Sequence, residues 1–66
     1  MTAPEIYRTA TLLIETYGEM APAGAFIRAD QLRDRGDMFG RAVWLRVAHV
    51  AEDLLSDDRP GDVSLH

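Results

Sequence analysis

The chain has 66 residues, a formal net charge of -4, no cysteine, and only arginine among its seven basic side chains. That length makes one domain at most and buries only about 60% of the surface exposed on unfolding. Without cysteine there are no disulfides or thiolate metal sites, so a partner subunit is the favoured supplement to a small core. The acidic balance disfavours nucleic acid and anionic membrane surfaces, and the lack of lysine removes Schiff-base chemistry.

Thr2-Ala3-Pro4-Glu5 reads as a helix start. Thr2 and Glu5 have capping-box spacing, and Pro4 lies in the first turn, where it has no intrahelical amide bond to lose. The pattern predicts a first helix over about 4–17. Ile6, Ala10, Leu13 and Tyr17 fall on one face, and Gly18 stops it. Leu12 falls on the polar side. After a short connection, Pro22 opens a second helix that runs to about Arg35. Its inward stripe is Ala25, Ala29 and Leu32 with Phe26 alongside, and Gly24 weakens its first turn. Two alanines on one stripe allow close backbone approach.

Gly36-Asp37 marks a sharp corner, with glycine ending one helix and aspartate capping the next. The third helix, about 38–56, groups Phe39, Val43, Val47, Val50 and Leu54 in one stripe. Trp44, Ala48, Ala51 and Leu55 form a second stripe beside it, so this helix is the spine of the fold. Residues 57–66 are acidic and broken by Pro60-Gly61, and they read as a flexible tail.

The predicted class is therefore all-α: a compact three-helix bundle over residues 1–56, followed by a disordered acidic tail over 57–66. The predicted core is Ile6, Ala10, Leu13, Tyr17, Ala25, Phe26, Ala29, Leu32, Phe39, Val43, Trp44, Val47, Val50, Ala51 and Leu54. No basic region followed by a long apolar run opens the chain. The longest aliphatic run, Leu12–Ile14, is far short of a membrane span. The expected location is the cytoplasm.

Candidate chemistry is sparse. His49 is spaced to meet Glu52 and Asp53 on one helical face, but His66 on the tail is the only other imidazole, too few for a zinc site. Ser56 and Ser64 have no base placed beside them. Arg35-Gly36-Asp37 spells an adhesion tripeptide, yet Gly36 and Asp37 already have capping roles. Trp44 facing alanines suits a core better than a ligand platform. Arg33, Arg35, Arg41 and Arg46 surround a tight corner, which suggests a helix-turn-helix-like nucleic-acid module. Asp30, Asp34 and Asp37 are interleaved with them, and local pairs such as Asp30–Arg33 explain the pattern more simply. No catalytic residue, cofactor or metal is expected, and no enzyme activity.

Leu12, Ile27 and Leu45 each fall on a face assigned to solvent. Three stray aliphatics in a chain short of core point either to a partner surface, rimmed by Arg41 and Arg46, or to scattered exposure and a misassigned helix phase. The expected function is a small protein-interaction module that binds another protein or itself, possibly as a homodimer. The nucleic-acid module is the alternative.

The run from Ala29 through Gly36-Asp37 and Trp44 to Leu54-Leu55 resembles a group of short all-helical proteobacterial proteins classed as a domain of unknown function. The likeness spans about Ile6 to Leu55. It implies an all-helical bacterial protein and brings neither an activity nor site residues.

Overall fold

A computed structural model describes residues 1–57, and the predicted tail over 58–66 lies outside them. The described chain is all-helical: α1 (Ala3–Tyr17), a 3-10 turn (Gly18–Met20), α2 (Ala21–Asp34) and α3 (Met38–Asp57). The predicted connection between the first two helices is thus itself helical, and α2 begins one residue earlier than Pro22.

Each boundary has a local cause. Thr2 and Glu5 form the capping box: the Thr2 amide donates to Glu5 Oε1 at 2.8 Å, and the Glu5 amide donates to Thr2 Oγ1 at 3.4 Å. Gly18 ends α1 at φ 61°, with its amide donating to the Ile14 carbonyl. At the second corner Gly36 has φ 80°. Its amide donates to the Arg33 carbonyl at 2.9 Å and the Asp37 amide donates to the Leu32 carbonyl at 2.8 Å, the two bonds of a Schellman motif. Asp37 then caps α3 by accepting from the Gly40 amide at 2.8 Å. One glycine closes α2 and the next residue opens α3, so the chain reverses with no free loop.

The helices are not equally engaged. α2 packs most extensively on α3, α1 packs on α3 to a lesser degree, and α1 touches α2 only sparsely. The buried residues are Ile6, Ala10, Ala21, Ala25, Ala29, Leu32, Val47, Ala48 and Ala51. Six of these nine are alanine, and Val47 is the largest side chain that is fully enclosed. A buried methyl contributes about 0.8 kcal/mol, against about 1.5–3 kcal/mol for a buried leucine or phenylalanine. The interior therefore gains its stability from close helix approach rather than from bulk. Leu13, Ile14, Phe26, Trp44, Val50 and Leu54 cover its edges, partly buried.

α3 buries the middle of both predicted stripes. Val47, Ala48 and Ala51 are fully buried, whereas Val43, Trp44, Val50, Leu54 and Leu55 are half-buried and Phe39 stands 75% exposed. Phe39, at the far edge of the valine stripe in the first turn, is left in water. Leu45, assigned to solvent, is half-buried instead. It lies one turn from the buried Ala48, which accounts for its partial cover. Tyr17 is also corrected from core to surface at 57% exposed, because the last turn of α1 extends past its cover.

Candidate interaction groove

Because α1 and α2 both lean on α3 and scarcely on each other, a groove of about 310 Å³ opens between them. Leu13 and Tyr17 of α1 form one wall. Met20, Gly24 and Ile27 form the other, and Trp44 of α3 lies at the bottom. Ala23 and Arg28 complete the lining. Trp44 is half-buried, so its indole packs on the core and still reaches the groove. Three of the lining residues are large, apolar and mostly in water: Met20 at 65%, Ile27 at 58% and Tyr17 at 57% exposed.

Local sequence explains why α2 leaves this surface open. Its first half, Ala-Pro-Ala-Gly-Ala-Phe-Ile, is apolar on every side. Alanines take the face toward α3, and the remaining apolar residues point elsewhere. Gly24 gives the groove depth. A Cβ built there has nothing within 4 Å, and its φ is not positive, so neither close packing nor backbone conformation demands glycine at this position. Glycine inside a helix is about 1 kcal/mol less favourable than alanine.

Arg28 is the one charged residue of the lining, and its Nη1 donates to Gln31 Oε1 at 3.4 Å. A larger cleft of about 600 Å³ lies on the other side of Ala23, between Glu19, Pro22, Phe26, Glu52 and Leu55. It mixes two carboxylates with apolar lining and ends at Ser56.

The residues proposed from sequence do not gather in one place. Ile27 lines the groove, and Leu12 is exposed on α1 outside its lining. Leu45 is half-buried on α3 and lines neither opening. Arg46 is exposed, and Arg41 is half-buried with an Nε that has no hydrogen-bond partner among the described residues. Of the corner arginines, Arg33 pairs with Asp34 at 3.6 Å, in place of the expected Asp30. Both partners are exposed, so the pair stabilises by less than about 1 kcal/mol.

His49 meets Phe26 of α2 edge to face, with ring centroids 5.7 Å apart and an interplanar angle of 75°. Aromatic contact accounts for the position of the imidazole. Among the described residues no three His, Cys, Asp or Glu side chains stand close enough to hold a metal ion, and no helix is long and apolar enough to cross a membrane. The threonine hydroxyls of α1 are satisfied locally: Thr9, Thr11 and Thr16 donate to the carbonyls of Glu5, Tyr7 and Leu12 at 2.8, 3.0 and 3.0 Å.

Sequence reasoning missed Met20, Gly24 and Tyr17 as surface. The available signal was the absence of a polar face in the first half of α2. Compared with protein-family models, curated proteins and solved structures, the chain matches none.

Proposed function

We propose that the protein is a small non-catalytic interaction module, a three-helix bundle that works as a homodimer through the groove between α1 and α2. The observation that carries this reading is the exposure of Met20, Ile27 and Tyr17 around a groove whose bottom is the half-buried Trp44. Together those three leave on the order of 350 Å² of side-chain surface in water, within the size range of a functional patch. Contributed by two copies, those side chains amount to roughly 700 Å², so the rest of the groove lining has to be covered as well for the contact to approach the ~1,200 Å² of a stable specific interface. An interior composed chiefly of alanine gives the chain reason to bury that surface against a second copy.

Sedimentation velocity across the micromolar range tests the reading. The expected result is a concentration-dependent shift from monomer to dimer, with a blue-shifted Trp44 emission in the dimer. Ile27→Asp places a carboxylate at an exposed position of α2, so the monomer keeps its helical circular dichroism while association weakens by at least about tenfold. A chain that stays monomeric to high micromolar concentration, with Trp44 emission independent of concentration, would remove the proposal.

A further inference from the structure

We infer that the groove between α1 and α2 is a binding site for a small amphipathic carboxylate, an acyl chain of about eight carbons or a single ring of similar size, with Arg28 holding the carboxylate and Trp44 beneath the apolar body. This does not rest on the homodimer reading. It gives the same surface a small-molecule claimant, which a second copy has to displace.

The two openings of the molecule carry opposite charge. The larger cleft has Glu19 and Glu52 in its lining and no basic residue among the described ones. The groove has Arg28 and none of the described acidic residues, in a chain where acidic side chains outnumber basic ones eleven to seven. Arg28 makes no ion pair among the described residues, and the hydrogen bond from its Nη1 to Gln31 Oε1 is long, at 3.4 Å. Most of the guanidinium fork is therefore open to an acceptor from outside the chain. A planar fork of N–H groups matches a carboxylate through two parallel bonds. One guanidinium balances one negative charge, and the chain's net charge of -4 disfavours a more highly charged anion such as a phosphate monoester.

The rest of the lining fits an apolar body. Leu13, Met20, Ile27 and Trp44 surround a space of about 310 Å³, at the small end of the roughly 300–1,000 Å³ range of ligand sites. A nucleotide or sterol exceeds it, and a short acyl chain does not. Met20 and Arg28 are eight residues apart in the chain, which separates them by about 12 Å along α2. An extended eight-carbon chain with its carboxylate at Arg28 covers most of that distance. Its far end then reaches toward Met20, with the indole below. The stem of Arg28 is apolar and continues the wall up to the charged head.

Octanoate is the probe, with octanol and octylammonium as neutral and cationic counterparts of the same length. Trp44 is the only tryptophan, so its emission reports on the groove. Octanoate is expected to blue-shift that emission saturably, with a dissociation constant on the order of 1 mM for a ligand of about ten non-hydrogen atoms. Octanol is expected to bind at least about threefold more weakly, and octylammonium at least about tenfold. Arg28→Gln, at an exposed position, is expected to keep the helical circular dichroism and to abolish the preference for octanoate over octanol. Arg46→Gln, exposed on α3 outside the groove, is expected to preserve it. Octanoate that does not saturate, that binds no better than octanol, or that keeps its preference in Arg28→Gln overturns the ligand site, whatever the oligomeric state. Sedimentation of the same samples separates the two readings. A chain that is monomeric throughout and meets every binding expectation keeps the ligand site and removes the homodimer. A dimer that octanoate dissociates supports both.

Discussion

Toward α3, the second helix presents Ala21, Ala25 and Ala29, all fully buried; toward the groove it presents Gly24 and Ile27, with Met20 of the preceding 3-10 turn beside them, all exposed. The usual distribution is reversed, with small side chains inside and large apolar ones out. Closing one side with alanines brings α2 near α3 but removes little apolar area from water for each residue. The area that would ordinarily stabilise a core is left on the open side. The difference teaches that the closed side sets the geometry, and the open side holds burial that the single chain leaves unrealised.

The largest effect expected from this contrast comes from adding volume to each side in turn. Ala25→Leu inserts three carbons into a contact with no room, forcing the helices apart at a cost of about 1–3 kcal/mol or more. Ala23→Leu, exposed and two residues away, is expected to change monomer stability by about 0.5 kcal/mol or less. Urea unfolding at a concentration that keeps the chain monomeric compares the two. Equal costs would mean that the closed side is not close-packed, and the comparison between the faces would fail.

Next in size is the contrast between two helical glycines. At Gly24 a Cβ meets open space, whereas at Gly40 it would stand 2.7 Å from Asp37 Oδ2. Gly24→Ala is expected to stabilise the monomer by about 1 kcal/mol. Gly40→Ala gains the same propensity but displaces the carboxylate that caps α3, a loss of about 1 kcal/mol, so its net effect is near zero. In an Asp37→Ala background the cap is already gone, and Gly40→Ala is then expected to stabilise. That non-additivity in thermal unfolding sharpens the distinction: one glycine faces a neighbouring side chain and the other faces open space.

Local rules made much of this fold legible. The capping box at Thr2, the stop at Gly18 and the Gly36-Asp37 corner each depend on residues within a few positions, and the helices begin and end within a residue of where those signals place them. What periodicity could not show is how far each helix reaches past its neighbour, and which of two adjacent stripes faces the closer one. Phe39 and Tyr17 match the inward period and are nonetheless exposed at helix ends, where no partner extends to cover them. Leu45 breaks the period and is nonetheless half-buried. The groove has the same origin. Ile27 was identifiable as an odd aliphatic, but its association with Met20, Gly24 and Trp44 depends on α1 and α2 splaying apart, and no single helix encodes that.

The smallest expected effect concerns α1, the helix that α2 scarcely touches and that therefore depends more on its own ends. Glu5 is fully exposed, yet its carboxyl is held below the ordinary value of 4.5, chiefly by the Thr2 amide that donates to it at 2.8 Å. Desolvation opposes the depression, and the Thr2 hydroxyl, the chain's amino terminus and Arg8 add to it. The folded chain accordingly binds this proton less readily than the unfolded one. The contribution to stability is complete above 4.5 and is lost as pH falls through the folded value. An NMR titration of the Glu5 carboxyl is expected to place its midpoint below 4.5, with fraying of the first turn of α1 on the acid side. Thr2→Ala keeps the donating amide and most of the depression. Thr2→Pro removes that amide at a backbone φ of -85°, near what proline adopts, and returns the midpoint toward 4.5. A midpoint unchanged by Thr2→Pro would show that the cap does not hold α1, and that the sparse packing against α2 has no local compensation at this end.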